Sequence, residues 1–232
     1  MLGDEGFKAA GEIAKTTAKA IDATEKASGY LAVTFRDAIG AIAGSAADSA
    51  VGFKIRNRAS VAVKTLEHLR KLGLDASFIS IEERAAFPLI EALSVESDEG
   101  LQDLWAAYIS NSVDPKSSAI GVTAIITQTI SKLEPEDKGV LDRLFGLDLA
   151  EPIHESIKLS SSDFNTTEES LNFSLSRFVA LGLFSCDNSG SFGWAPHQGH
   201  RMPCNLEIHT GVGLFRALPL LLMFKQSVVA SD

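Results

Sequence analysis

Cysteine, basic leader residues and long apolar runs are scarce in this sequence, and each scarcity argues against a class of protein. The two cysteines, Cys186 and Cys204, are too few for a disulfide framework, so we expect a reducing, cytosolic setting. No long uncharged apolar run is present, which argues against an ordinary transmembrane helix. Residues 1–5, MLGDE, are acidic where a secretory leader carries basic residues, and we expect no such leader.

Familiar catalytic motifs are also missing. The sequence has no glycine-flanked serine of the hydrolase type, no phosphate-binding glycine loop and no H-E-x-x-H pair, since His154 and Glu155 lack the second histidine. The remaining acids of interest lie where helix N-termini favour negative charge: Glu82, Glu83, Glu91, Asp98 and Glu99. We therefore expect a non-enzymatic protein that binds no cofactor.

The composition that is present is typical of a mainly helical globular protein. Hydrophobic residues make up 45% of the 232 positions, which suffices for a core, and the formal net charge of −9 argues against general affinity for nucleic acid. The hydrophobic pattern predicts a mainly α fold with a helical N-terminal body and a small winged-helix-like α/β C-terminal module. We expect Ala/Gly-rich N-terminal helices over 1–52, a helical core over 53–133, the module over 134–224 and a tail over 225–232.

Small side chains dominate the end of the N-terminal segment. After a helical pattern over residues 4–28, Gly40 and Gly44 form a G-x-x-x-G pair, and Asp48 and Gly52 continue the same four-residue spacing. Small residues at this spacing let a second helix backbone approach closely, so we predict a helix-packing or membrane seam.

The length of this small-residue segment also permits a membrane hypothesis. About 24 residues at 1.5 Å each give roughly 36 Å, enough to cross a bilayer. Arg36, Asp37 and Asp48 would each oppose insertion by roughly 2.5–3.5 kcal/mol near the bilayer centre. Close packing in a soluble bundle is the favoured interpretation, and membrane association or a mobile segment are the alternatives.

The next segment, FKIRNRASVAVKTLEHLRKLGLDA, predicts an amphipathic helix that ends at Gly73. We place Asn57, Lys64, His68 and Lys71 opposite its apolar stripe. The helix carries the main concentration of positive charge in the chain, formed by Lys54, Arg56, Arg58, Lys64, Arg70 and Lys71. This basic face either contacts anionic lipid or nucleic-acid phosphate, or is an ordinary solvated surface.

The following helices are defined by caps and prolines. Ser80 and Glu83 predict a capping box, and Pro88 is expected to kink or restart that helix. Ser97 is expected to cap the helix within ESDEGLQDLWAAYISNSVDP, whose core markers are Leu101, Leu104, Trp105 and Tyr108. A Ser/Thr-rich helix should cover 118–133, and Pro135 should open a helix that runs through Phe145.

After Gly146 the pattern changes to mixed helix and strand. We predict a short extended piece, a helix capped by Thr166 and ended by Gly182, and a hairpin that pairs 183–186 with 192–194. An extended piece at 206–208 precedes a final helix containing Leu214, Phe215, Ala217 and Leu218.

That order is typical of a winged helix, whose second helix normally reads DNA with cationic side chains. Here the helix carries Glu168, Glu169 and a single base, Arg177. We therefore expect protein interaction or internal packing in place of sequence-specific DNA binding.

Four candidate zinc ligands lie within one short stretch: Cys186, His197, His200 and Cys204. Two thiolates and two imidazoles would suit tetrahedral zinc. Their spacing matches no familiar zinc knuckle, and thiols on strands are more often small hydrophobes. We therefore expect no metal.

Three blocks resemble the abortive-infection alpha (Abi-alpha) family of phage-defence-associated bacterial proteins. They are FKIRNRASVAVKTLEHLRKLGL, then FPLIEALSVESDEGLQDLWAAYISNSVDP, and finally SLSRFVALGLF with LEIHTGVGLFRAL. The resemblance covers roughly residues 53–218 and implies a helical N-terminal part, a small α/β module and a role in phage infection. It carries over no catalytic residue.

On this basis we expect a cytoplasmic bacterial protein whose partner is a second copy or another protein. Peripheral contact with the inner membrane is one alternative. A winged-helix regulator that binds nucleic acid is another.

Overall fold

The computed structural model describes residues 29–42, 50–75, 81–116, 121–147, 157–187, 206–209, 214–217 and 219–229. The chain divides into two compact units, with the boundary between Lys132 and Leu133. From Ser227 onward, the end of the last helix is grouped with the first unit. The predicted division between 133 and 134 lies next to this boundary.

The first unit is a bundle of helices around a shared apolar core. Its described helices are α1 Tyr30–Ile42, α2 Ala50–Lys71, α3 Glu83–Ser94, α4 Glu99–Val113 and α5 Ala124–Ile130. The longest helix, α2, packs most extensively against α4 and α1 and also contacts α3. Phe35, Leu69, Leu93, Trp105 and Tyr108 are among the largest fully buried side chains, so every helix from α1 to α4 contributes to this core.

Local chemistry explains where these helices begin and end. The φ angle of Gly73 is 73°, and the amides of Gly73 and Leu74 bond back to the carbonyls of Arg70 and Leu69, which confirms the predicted stop of α2. Asp98 caps α4 by accepting from the Leu101 amide at 2.9 Å, one residue after the predicted cap Ser97.

The start of α3 and its proline are the next features to compare with prediction. The N-cap of α3 is Glu82, which makes no side-chain capping bond, and Ser80 of the predicted Ser80/Glu83 capping box lies outside the described residues. Pro88 lies inside one continuous helix, so the predicted restart is wrong, and the predicted kink stays a prediction. The Ser/Thr-rich helix is also shorter than predicted, because α5 begins after the Thr123 cap and ends at Ile130.

The second unit combines helices with a small sheet. Its elements are α6 Pro135–Phe145, β1 Ile157–Ser160, a 3-10 turn Ser161–Asp163, α7 Glu168–Ala180, β2 Phe184–Asp187, β3 Leu206–His209, β4 Leu214–Ala217 and α8 Pro219–Val228. The strand order is β1-β3-β4-β2; β1 and β3 are parallel and the other pairs antiparallel. Leu159 and Ile208 are register partners and buried, and Phe184 stacks on Phe178 of α7 with centroids 6.1 Å apart.

The mainly helical class is confirmed, but the end of the chain differs from expectation. Leu214, Phe215 and Ala217 lie in β4, so the predicted single helix through them is wrong. Pro219 divides this apolar run, because proline is favoured in the first turn of a helix, and α8 then continues to Val228, inside the predicted tail. In the described residues β2 pairs with β4; its predicted partner 192–194 lies outside them. The winged-helix assignment stays a prediction.

Candidate functional site: the polar interface of α2

The predicted basic face of α2 meets acidic residues of α3 and α4 within the same unit. Lys54 Nζ lies 3.8 Å from Glu91 Oε2, and Arg58 Nη2 lies 3.3 Å from Glu91 Oε1. Lys64 Nζ lies 3.9 Å from Asp103 Oδ1 and donates to the Glu99 carbonyl at 3.1 Å. Three cations of the basic face therefore pair with two carboxylates of the same unit.

The rest of the polar side of α2 combines one histidine contact with three exposed cations. His68 Nε2 is 3.3 Å from Asp103 Oδ1, while Arg56, Arg70 and Lys71 are exposed. Arg70 and Lys71 occupy the last turn, where positive charge complements the helix dipole. This arrangement favours a solvated, internally paired helix surface over a broad anion-binding face.

Asn57 corrects the predicted orientation of α2, because it is buried and does not face solvent. Its Nδ2 donates to the Ser94 carbonyl at 2.9 Å. Ser94 is the last residue of α3, where carbonyls lack intrahelical partners. Arg58 Nε donates to Ser94 Oγ at 2.6 Å, and that hydroxyl donates to the Ile90 carbonyl, so α2 holds the C-terminal end of α3.

A second set of polar contacts, part-buried or buried, joins α2 to α4. Ser60 Oγ donates to Gln102 Oε1 at 2.5 Å, and Gln102 Nε2 donates to the Glu96 carbonyl at 2.9 Å. Deeper in the bundle, Ser110 Oγ donates to the Thr65 carbonyl at 3.2 Å. Sequence analysis missed Ser60, Gln102 and Ser110, although polar residues within otherwise apolar helix faces are a usable signal for such contacts.

The core markers of α4 lie at the centre of the unit. Leu101, Leu104, Trp105 and Tyr108 are all buried, and the Trp105 and Tyr108 rings are 6.4 Å apart. The Tyr108 hydroxyl accepts from the Thr123 amide at 2.7 Å and donates to its carbonyl at 3.1 Å. Burial raises the pKa of Tyr108 above its usual value. This side chain therefore fixes the start of α5 and remains neutral near pH 7.

The predicted glycine seam is only partly within the described residues. Gly40 is exposed, and a Cβ added there would meet nothing within 4 Å. Gly52 is buried near the start of α2, and Gly44 lies outside the described residues. Gly40 thus makes no close helix contact within the described chain, and the helix-packing or membrane seam stays a prediction.

The candidate zinc set is likewise only partly described. Cys186 is half-buried on β2, whereas His197, His200 and Cys204 lie outside the described residues. Within the described ranges no group of three potential metal ligands comes together. The zinc hypothesis is therefore untested by the geometry.

A helix that crosses the membrane is one alternative for the small-residue segment. Across the stretches that the structure describes, no helix combines the length and apolar character needed to cross a bilayer.

The second unit contains a buried charged pair that sequence analysis did not identify. Asp137 is fully buried, and its Oδ2 accepts from Arg177 Nη1 at 2.6 Å and from the Glu134 amide at 2.9 Å. Arg177, the single base of the predicted recognition helix, is therefore directed at α6. The position of Asp137 three residues after Glu134, in the first turn of a proline-initiated helix, could have indicated its capping role.

One small cleft of about 180 Å³ lies between α3 and the start of α5. Its lining is mostly apolar and includes one carboxylate and one guanidinium: Glu82, Arg84, Ala85, Pro88, Val122, Ala124 and Thr127. These residues do not form a nucleophile–base pair, so the cleft does not supply a catalytic arrangement.

Comparison with known proteins identifies a family for this chain. A family model described as abortive infection alpha matches residues 54–193, which is more than half of the chain and includes the whole polar interface of α2 with α3 and α4. Neither a curated protein nor a solved structure matches the chain. Because this family model matches more than half of the chain, the chain belongs to the abortive infection alpha family.

Proposed function

We propose that this protein acts in abortive infection as a non-enzymatic assembly protein, and that α1 and the start of α2 supply the assembly surface. Family membership supports the association with abortive infection. The mode of action is inferred from where apolar side chains remain exposed.

Exposed apolar residues are concentrated on these two helices. Of the ten large hydrophobic residues that are exposed in the described chain, four lie here: Tyr30, Val33, Val51 and Phe53. We call these four residues, together with Gly40, the assembly face. Concentrations of exposed apolar side chains are characteristic of protein-binding or membrane-binding surfaces.

Gly40 provides the position on the assembly face where a second helix could pack closely. Tyr30, Val33, Asp37 and Gly40 recur at helical spacing along α1 and are all exposed. Gly40 has no Cβ, and no atom of the described residues lies within 4 Å of where one would be, so a second backbone could approach closely there.

The test compares two glycines in similar surroundings. Gly40→Leu should abolish assembly and phage protection, while Gly139→Leu, at an exposed helical glycine of α6 with equally open space, should leave both unchanged. Both substitutions should retain the fold, since replacing an exposed helical glycine raises helix propensity by roughly 0.8 kcal/mol. The readouts are mass by light scattering and plaque counts across a phage panel.

Four outcomes would count against the proposal. Unchanged plaque counts on deletion of the native gene would contradict a role in defence. A monomeric native protein, or equal protection by the two variants, would remove the assembly face. Recovery in the membrane fraction, with release by detergent but not by salt, would replace protein assembly with lipid contact.

The alternative is a winged-helix regulator, favoured by the order of helix and strand in the second unit. Against it, Arg177 is held by Asp137, and α7 begins with Glu168 and Glu169. A shift of duplex DNA by the purified protein at low salt, where phosphate attraction is strongest, would support this alternative.

A further inference from the structure

We propose that the cleft between α3 and the start of α5 binds a small apolar amino acid in its zwitterionic form. The cleft has a volume of about 180 Å³, lies within the first unit and shares no residue with the assembly face. A cavity of about 150 Å³ holds a molecule the size of benzene, so this volume suits a ligand of about eight or nine non-hydrogen atoms. Valine and leucine are amino acids of that size.

The lining of the cleft combines two opposite charges with an apolar surface. Glu82 and Arg84 are its charged members, and four of the other five lining residues are apolar: Ala85, Pro88, Val122 and Ala124. An apolar ligand side chain is stabilised against this surface, whereas a polar side chain would lose hydration there without gaining a partner.

Both charged side chains of the lining are available to a ligand. Glu82 is the N-cap of α3 and makes no side-chain capping bond. Within the described part of the chain, neither Glu82 nor Arg84 takes part in an ion pair or a side-chain hydrogen bond. The two side chains do not neutralise each other, because helix positions two apart do not face one another.

This pair of opposite charges selects the form of the ligand. A ligand with a single charge of either sign would meet one like charge in the lining. An amino acid carries an ammonium for Glu82 and a carboxylate for Arg84, so it complements both groups at once.

The core of the unit holds the α5 side of the cleft in place. The Tyr108 hydroxyl bonds to both the amide and the carbonyl of Thr123, which lies between the lining residues Val122 and Ala124. Thr123 in turn caps α5 by accepting from the Ile126 amide. A wall that is fixed before binding lowers the ordering cost of binding.

The experiment titrates the full chain with L-leucine and follows binding by saturation-transfer NMR. Two controls each lack one charge: 4-methylpentanoate has no ammonium, and 3-methylbutylamine has no carboxylate. Aspartate, which has no apolar side chain, is the third. Leucine should bind with a Kd on the order of 1 mM, as for a ligand of few atoms in an open cleft, and the controls about fivefold or more weakly. Circular dichroism checks that each protein variant is folded.

Matched variants assign the two charges. Glu82→Gln should weaken leucine binding by about threefold to fivefold but should not weaken binding of 4-methylpentanoate. Arg84→Gln should likewise weaken leucine binding but not that of 3-methylbutylamine. Glu83→Gln, at an exposed neighbour outside the lining, should change each Kd by less than about twofold. Ala124→Phe, which adds a ring at an exposed position of the lining, should abolish binding.

Four results would overturn the proposal. The first is no saturation transfer to leucine at about 10 mM, ten times the expected Kd. The second is equal binding of leucine and the two singly charged compounds. Equal losses in Glu83→Gln and Glu82→Gln would attribute the effect to the general acidity of the protein. Unchanged binding in Ala124→Phe would place the ligand outside this cleft.

Discussion

Asn57, Ser94 and Gln102 show how single polar side chains fix the helices of the first unit. Asn57 satisfies a carbonyl at the end of α3, and Gln102 bridges Ser60 of α2 to the Glu96 carbonyl before α4. A buried polar group left without such a partner costs about 1–3 kcal/mol. Asn57, Ser94 and Gln102, which lie in two of the blocks that resemble the family, therefore act in orientation and packing.

Replacing Asp137 with Asn is expected to destabilise the protein by about 2–3 kcal/mol. Breaking a fully buried pair costs about 3–5 kcal/mol, but the Arg177 side chain is 31% exposed and can recover some hydration. Asp142→Asn is the control, because its pair with Lys138 is exposed and should change stability by less than about 0.5 kcal/mol. Urea unfolding of the two variants measures both values, and equal midpoints would contradict the assignment.

Tyr108 should make stability fall at alkaline pH. Burial raises its folded-state pKa above the usual 10.0, so the unfolded chain loses this proton first as the pH increases. The contribution is complete below pH 10 and is lost as the pH rises through the raised pKa. Unfolding midpoints at increasing pH should decline more steeply for the native protein than for Tyr108→Phe, which lacks the titrating group. Parallel curves would show that Tyr108 is not responsible.

At the scale of elements, the sequence predicted structures whose signals are local. Pro135 and the following periodicity predicted α6 with the observed ends, and Gly73 and Gly182 end their helices with φ values of 73° and 75°. The order of the sheet is not local information, because β2 pairs with β4 about thirty residues later. The run around Leu214 was misassigned because short apolar stretches suit a strand or a helix equally well.

The N-cap of α7 allows a direct test at the scale of elements. Thr167 accepts from the Ser170 amide at 3.2 Å and is the N-cap of α7, one residue after the predicted Thr166. Thr167→Ala should therefore lower stability by about 1 kcal/mol, while Thr166→Ala, at an exposed neighbour that does not cap the helix, should change it by less than about 0.5 kcal/mol. Thermal unfolding of the two variants decides between the adjacent residues, and a larger loss in Thr166→Ala would move the cap.

At the scale of the whole molecule, the sequence predicted the cations of the candidate site but not the acids that pair with them. The sequence identified α2 as the main concentration of positive charge, but its acidic partners, Glu91 and Asp103, are about thirty to forty residues away in the chain. Their pairing depends on tertiary packing, which helical periodicity does not encode. The same limit applies to Phe173, whose exposure follows only once the other side of α7 is packed.

The net charge of −9 gives the proposed assembly a defined response to salt. Two copies that meet through the apolar assembly face repel each other as whole molecules, and salt screens that repulsion. Between about 0.01 M and 1 M salt the Debye length falls from about 30 Å to about 3 Å, so the effect should be complete in this range.

Sedimentation measured across this salt series tests the prediction. Assembly should strengthen as salt rises, and Gly40→Leu should remove that response, whereas Gly139→Leu should keep it. If assembly weakened with salt, ion pairs and not the assembly face would hold the copies together, and the basic residues of α2 would become the surface to examine.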